Sequence, residues 1–276
     1  MTVESSVRPV AVRALTWLLA ATAAATVVVE LLNFWYAPEP GLGLWVRTGW
    51  ALLRTLGWLI LIAQVRRGRA GARPFGLILA VTTIFAVGRL VVPQTGAPVF
   101  AGVVGFGVLV VLCVSVVALL YRHPAVGEHL VRHPRKVTFG RDGLTWDEGA
   151  PRREVSGWLM TARVSAFTYS PLMLVPCLIS VGELGDKPEY LLAVIFWFVA
   201  GFGVSYVVLL TTFFLLRGKR FARVVLAWAG AAVLLIDLPL CYLLLGLDGL
   251  VRDGAPLVVA VALSSYALIR TRNDRP

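Results

Sequence analysis

The chain has 276 residues, of which 58% are hydrophobic and only 15% charged, and its mean hydropathy is +0.81. A soluble globular protein has about 45–50% apolar and about 25% charged residues, so this composition predicts an integral membrane protein. The net charge of +11 would suggest nucleic acid in a soluble domain. Here the basic residues are distributed over alternate loops, and we therefore expect no nucleic-acid partner.

The first apolar run follows a short polar segment that carries Arg8 and Arg13. It has no clear A-x-A cleavage site and further apolar runs follow, so it predicts a first membrane helix and not a cleaved signal peptide. Eight runs can cross about 30 Å of hydrocarbon, and the last is the shortest. The eight predicted spans are residues 14–36, 44–65, 74–92, 99–121, 161–181, 190–216, 221–245 and 256–269.

Positive charge is concentrated on one side of these spans. Of the 26 basic residues, 21 lie in or beside the terminal segments and the loops after the second, fourth and sixth spans. The opposite loops hold only Arg47, Lys187 and Arg252. Basic loops stay in the cytoplasm, so the pattern predicts a multi-pass protein of the cell (inner) membrane with both termini cytoplasmic. The opposite loops also carry Glu39, Glu183, Asp186, Glu189, Asp248 and Asp253.

The two halves of the sequence match at an offset of 150 residues. Arg67-Gly68 corresponds to Arg217-Gly218, and after an insertion of eight residues Gly96-Ala97-Pro98 corresponds to Gly254-Ala255-Pro256. Because each half has four spans, the two copies share one orientation. We therefore predict an all-α membrane protein of two parallel four-helix repeats, residues 1–121 and 161–276, related by an axis along the membrane normal.

The basic turn Arg217-Gly-Lys-Arg-Phe-Ala-Arg223 lies between two apolar runs. It resembles the turn before the third helix of small four-helix actinobacterial membrane proteins of unknown function. The first-half copy, Arg67-Gly-Arg-Ala-Gly-Ala-Arg73, departs from that pattern because it lacks the aromatic residue. The resemblance implies the four-helix topology of each half, and it implies no activity.

A polar linker, residues 122–160, joins the repeats. Alternation of apolar and polar residues from Lys136 to Trp146 around Asp142-Gly143 predicts a β-hairpin. Because an isolated hairpin is marginally stable, we expect Phe139 and Trp146 to lean on the bilayer surface or the helix ends. The linker is then either a tether between the halves or a docking element for a cytoplasmic partner.

The linker also contains His129 and His133, whose spacing of four could place two imidazoles on one helix face. Pro134 follows directly and no further ligand completes a shell, so we predict no metal site and no cofactor. The three cysteines lie within apolar runs, form no C-x-x-C pair, and are interpreted as small buried hydrophobes. They are Cys113, Cys177 and Cys241.

Four ionisable residues lie inside apolar runs: Glu30, Arg54, Arg89 and Asp237. Each costs about 2.5–3.5 kcal/mol at a helix centre unless it finds a partner or water. At 1.5 Å per residue all four fall within a slab of about 7 Å. Depth favours the pairs Glu30 with Arg89 and Arg54 with Asp237, and Asn33 is placed to hydrogen-bond Glu30. This set is the candidate site; the catalytic role, if any, is unknown.

Three prolines, Pro171, Pro176 and Pro239, lie near this slab. Each removes a backbone donor, so the helices there are either simply kinked or broken in the manner of a transporter.

Three functions fit these features. The first is a non-catalytic scaffold or accessory subunit with a membrane-protein partner. The second is a small carrier that uses Glu30 or Asp237 for a cation and Arg54 or Arg89 for an anion. The third is a membrane-embedded enzyme acting on a lipid or terpenoid, with Glu30 or Asp237 as its acid.

Overall fold

The computed structural model describes residues 10–36, 41–88, 99–130, 135–140, 143–148, 157–185 and 187–273. Within these ranges the chain is helical apart from one two-stranded hairpin and short connections. The α-helices are α1 Val10–Trp35, α2 Leu42–Arg66, α3 Ala72–Val87, α4 Val99–Arg122, α5 Pro124–Leu130, α6 Gly157–Phe167, α7 Tyr169–Val181, α8 Leu191–Leu216, α9 Arg220–Gly249 and α10 Ala255–Asn273.

Six helical stretches are long and apolar enough to cross a membrane, counted over the described residues. The longest includes both α9 and α10, and α3 is a shorter apolar helix of 16 residues. The predicted membrane-protein class therefore agrees with the helices. The six stretches are Val10–Trp35, Leu42–Arg66, Gly102–Arg122, Gly157–Gly185, Pro188–Leu216 and Arg220–Thr271.

The first four helices pack side by side around one core. Helix α1 lies against α2 and α4, and α3 lies against α2 and α4, so each helix contacts its neighbours in sequence and α4 closes on α1. Trp58 and Leu61 of α2 and Leu120 of α4 are fully buried in this core. Gly76 of α3 is needed there, because a Cβ would lie 2.5 Å from Leu120 Cδ1 and 3.2 Å from Leu61 Cδ2.

A short helix, α5, follows α4 and was not expected from the sequence of the linker. It packs against α1 and α4 and buries Val126 and Leu130. Arg73 at the start of α3 donates from Nε to the Leu120 carbonyl at 3.1 Å. These contacts bring the ends of α2 and α4 and the start of α3 together on one side of the helices.

The predicted hairpin is confirmed. Strands β1, Arg135–Gly140, and β2, Gly143–Glu148, are antiparallel, with Val137 opposite Trp146 and Phe139 opposite Leu144. The predicted turn starts at Asp142, which lies outside the described residues. The docking expected of Phe139 and Trp146 stays a prediction.

The predicted fifth span, residues 161–181, lies within one apolar helical stretch, Gly157–Gly185, but this stretch is not one continuous α-helix. It consists of α6 and α7, which meet at Thr168. Pro171 causes this break, because its ring excludes the carbonyl of Phe167 and it has no N–H to donate. At the end of α6 the Thr168 N–H donates to the Ser165 carbonyl, three residues earlier, at 3.2 Å, and not to the Val164 carbonyl as in an α-helix. Both α6 and α7 contact α8, and α6 also packs along α10.

The predicted end of the seventh span at Leu245 coincides with a break in α9, whereas the predicted loop after it is mostly helical. Helix α9 continues to Gly249 with a kink at Gly246, whose φ of 71° favours glycine, and a π-helical turn, Leu250–Gly254, leads into α10. Consequently Asp248 ends a helix, and Arg252 and Asp253 lie in the π turn. The second core contains the fully buried Trp197 and Tyr169.

Candidate functional site

Glu30 of α1 and Arg54 of α2 form an ion pair in the first half of the chain. Arg54 Nη2 lies 3.6 Å from Glu30 Oε1, and the side chains are 4% and 19% exposed, respectively. Asn33, one turn along α1, donates from Nδ2 to Glu30 Oε2 at 3.4 Å, as the i, i+3 spacing predicts. The site residues Glu30, Asn33 and Arg54 therefore lie together.

The predicted partner of Arg54 was wrong. We expected Asp237, but α1 and α2 are consecutive antiparallel helices, so Glu30 is the carboxylate that faces Arg54. Asp237 lies in the second half. The other predicted partner, Arg89, lies outside the described residues, so the Glu30–Arg89 pair stays a prediction.

Asp237 is fully buried on α9 and bound by neutral donors. Its Oδ1 accepts a hydrogen bond from Trp197 Nε1 at 3.0 Å, and Cys241 Sγ donates to Oδ2 at 3.6 Å. No Lys or Arg among the described residues lies within 4 Å of this carboxylate. Cys241 is thus a hydrogen-bond donor as well as the predicted buried hydrophobe. Cys177 is buried too and donates from Sγ to the Val194 carbonyl at 3.6 Å, and none of the three cysteines forms a disulfide.

A second charged cluster was missed by the sequence reasoning. Arg252 donates from Nη1 to Asp248 Oδ2 at 3.1 Å and from Nε to Asp253 Oδ2 at 3.0 Å, and its Nη2 also contacts Asp253. The side chains of Arg252 and Asp253 are only 7% and 12% exposed, whereas Asp248 is 59% exposed. The i, i+4 spacing of Asp248 and Arg252 is the signal that could have revealed this pair on a helix.

Asp253 also lies at the boundary between the two halves. A small cavity of about 10 Å³, the size of one water molecule, lies beside it between the halves. The cavity is lined by Trp50, Thr82, Pro176, Arg252 and Asp253, among others.

Comparison with protein-family models, curated proteins and solved structures finds no match for this chain. The resemblance of the turn at residues 217–223 to small four-helix membrane proteins therefore stays a prediction. The candidate function rests on the geometry of the chain itself.

A larger groove of about 210 Å³ lies between α1 and α2. Glu30 and Thr48 stand on opposite walls, and the remaining surface is mostly apolar. Near one end Phe34 and Trp45 pack edge to face, with ring centroids 5.4 Å apart. This groove and the ion pair behind it share the Glu30 carboxylate.

His129 has a structural contact. Its Nε2 lies 2.9 Å from the Val65 carbonyl near the end of α2. A carbonyl only accepts, so Nε2 carries the proton in this contact and is not free to bind a metal. His133 lies outside the described residues. Within the described part of the chain, no group of three or more His, Cys, Asp or Glu residues is arranged to hold a metal ion.

Proposed function

We propose that this chain is a multi-pass inner-membrane protein that acts as a non-catalytic scaffold or accessory subunit. Eight spans in two parallel four-helix repeats form its membrane part, with both termini and the hairpin linker in the cytoplasm. The apolar helices support membrane insertion, since a span needs about 20 residues that are predominantly apolar.

The orientation is supported by the charges at the two ends of the helices. Arginines follow α2 and α8 and begin α9, and the Arg73–Leu120 contact places the start of α3 at the same end. Acidic residues prevail at the opposite end, including Glu183 and Glu189. Positive loops are retained on the cytoplasmic side, which sets this orientation.

The repeat is supported by the register of the buried residues. Every buried residue of α1 has a buried counterpart 150 positions later, in α6 or α7. A common inward face at one register is what duplication of a four-helix unit would produce. The first-half residues are Val12, Leu15, Leu19, Thr22, Ala23 and Thr26, and their counterparts are Ala162, Ser165, Tyr169, Leu172, Met173 and Pro176.

The observation that carries the non-catalytic role is that each described charge inside the helices has a partner within the chain. Arg54 forms an ion pair with Glu30, Arg252 bonds Asp248 and Asp253, and Asp237 accepts hydrogen bonds from the neutral groups of Trp197 and Cys241. The cavity between the halves holds about one water molecule, whereas ligand pockets are typically about 300–1,000 Å³. The Glu30–Arg54 and Trp197–Asp237 contacts each join two helices, which is a structural role.

A carrier is the second candidate, and the broken helices favour it. Pro176 of α7 lines the small cavity, and Pro171 and the break at Thr168 lie at the start of the same helix. Irregular backbone at membrane depth is how transporters line a site. The lipid- or terpenoid-modifying enzyme has less support, because Asp237 is sealed behind Trp197 and Cys241.

Native gel electrophoresis after mild solubilisation tests the proposal. A scaffold or subunit is expected to migrate with a partner at fixed stoichiometry, and to keep that partner when Asp237→Asn removes the buried charge. Solute or proton flux into liposomes by the purified chain, lost in Asp237→Asn and retained in the exposed control Glu189→Gln, would favour the carrier instead.

A further inference from the structure

The groove between α1 and α2 is open along one side and lies on the outward surface of the first half. Leu31, Trp45 and Leu52 line it and are themselves 63%, 58% and 56% exposed. In a membrane this surface faces lipid or another protein. Its volume of about 210 Å³ is smaller than the typical pocket for a drug-sized ligand. A groove of this size can hold one long side chain of a neighbouring helix.

The groove presents negative charge to whatever approaches from the bilayer. Glu30 stands in its wall and is 19% exposed, whereas Arg54 is 4% exposed and lies behind it. Among the described residues the carboxylate has two polar contacts, 3.6 Å to Arg54 and 3.4 Å to Asn33. Both are longer than the about 2.7–2.9 Å of a strong charge-assisted bond. A carboxylate can accept about four hydrogen bonds, so Glu30 retains capacity for another donor.

We propose that this groove binds a transmembrane helix of a partner protein that carries one Lys or Arg in the outer half of its span. The inference rests on the proposed function as a scaffold or subunit and names the class of partner. A cation on a lipid-exposed helix is costly by itself, so a groove with a partly free carboxylate is a favourable site for it. The hydroxyl of Thr48 on the opposite wall offers a further acceptor.

The position of Glu30 favours a helix over an amino lipid. Glu30 is five residues before the end of α1 at Trp35, which places it about 8 Å below that end. A lipid ammonium lies at the headgroup level and would have to leave it to reach this carboxylate. A side chain on a membrane-spanning helix reaches this depth directly.

The test uses synthetic helices of leucine and alanine with one Lys, or one Leu, at the depth of Glu30. Binding is measured in liposomes by energy transfer to a dye on Lys187→Cys, an exposed position, while the native cysteines are buried. We expect the Lys helix to bind at least tenfold more tightly than the Leu helix. Glu30→Gln should reduce that preference below twofold, and the control Glu189→Gln should retain it.

A second variant keeps the test decisive if Glu30→Gln does not fold. Thr48→Phe fills the groove and leaves the ion pair intact, so it should weaken binding of the Lys helix at least tenfold. Equal binding of the two helices, or unchanged binding to Thr48→Phe, overturns the inference. Loss of the preference in phosphatidylethanolamine liposomes assigns the groove to lipid and also overturns it. Co-migration with a native partner is a separate measurement, so a negative peptide result leaves the proposed function standing.

Discussion

Arg54 of α2 and Glu30 of α1 lie 3.6 Å apart, and Arg54 is almost fully buried while Glu30 is partly exposed. The pair joins two consecutive helices, so it fixes how α1 sits against α2 at membrane depth. Removal of one partner leaves the other charge unpaired in a medium of low dielectric, which destabilises the fold. Removal of both partners leaves no unpaired charge.

We therefore predict a strong asymmetry between single and double substitutions at these positions. Glu30→Leu strands the buried Arg54 and is expected to cost about 3 kcal/mol of stability. The double variant Glu30→Leu, Arg54→Leu should recover at least half of that loss. Stability can be followed by the reaction of a fluorogenic maleimide with Cys113, Cys177 and Cys241, which are buried in the folded chain.

The charge reversal Glu30→Arg, Arg54→Glu is the matched test of the pairing itself. It should be closer to wild type than either single reversal, because the attraction is restored with the sign inverted. If the double variants are as unstable as the sum of the singles, then the two residues do not interact, and the ion pair does not hold α1 to α2.

Asp237 yields a different prediction, because its partners are neutral. Asp237→Asn retains an oxygen that accepts from Trp197 Nε1 and should change stability by less than about 1 kcal/mol. Asp237→Leu leaves the buried indole N–H unsatisfied and should cost about 1–3 kcal/mol. The same thiol assay measures both. A loss in Asp237→Asn equal to that in Asp237→Leu would mean that the charge itself is required.

The pairing of the charges shows where sequence reasoning was insufficient. Position along a helix gives depth, and it placed Glu30, Arg54 and Asp237 in one slab. Depth does not say which helices are neighbours or which face each residue occupies. Glu30 and Arg54 form a pair because α1 and α2 are adjacent. Asp237 lies on the face of α9 that contacts α8, where it accepts a hydrogen bond from Trp197.

The helical class and most helix ends were predictable for a physical reason. A run of apolar residues has few alternatives in a bilayer, and the basic turns stop it at a definite residue. The break at Gly246 falls one residue after the predicted end of the seventh span, but the helical turns beyond it were not predicted, because Gly249 and the charged residues after it are typical of a loop. The π-helical turn that contains Arg252 and Asp253 packs against α3 and α7.

The turns at Gly68 and Gly218 have the same backbone conformation, so replacing either glycine should lower the free energy of unfolding for the same reason. Both glycines have positive φ, 65° and 75°. In each turn the glycine N–H donates to the carbonyl three residues earlier, and the N–H of the next residue donates to the carbonyl five residues before it. This is the Schellman arrangement, which favours glycine after the helix end. Gly218→Ala, with nothing within 4 Å of its Cβ, should cost about 1 kcal/mol from backbone strain alone.

The control for this effect is Gly203→Ala. Its Cβ also meets open space, but its backbone is helical, so alanine should be neutral or slightly stabilising. Gly68→Ala should match or exceed Gly218→Ala, and the two should add because they lie in different halves. Equal thermal stability of Gly203→Ala and Gly218→Ala would show that the left-handed conformation carries no cost.

The orientation of the chain is testable with two lysines. Lys187 precedes α8 and Lys219 precedes α9, both are exposed, and 26-residue α8 separates them, a length of about 39 Å. A helix of that length is long enough to cross the bilayer, and if α8 spans as we propose, the two side chains lie on opposite sides. Because the described native cysteines are buried, Lys187→Cys and Lys219→Cys each supply a single reactive thiol.

We predict that a membrane-impermeant maleimide labels Lys187→Cys in intact cells and labels Lys219→Cys only after the membrane is opened. The physical basis is that Lys219 belongs to the arginine-rich turn, which resists transfer across the membrane, whereas Lys187 is one isolated charge among acids. Labelling of both in intact cells would mean that α8 does not span. Labelling of Lys219→Cys alone would reverse the orientation, and Glu30, the Phe34–Trp45 contact and the groove beside them would then belong to the cytoplasmic leaflet.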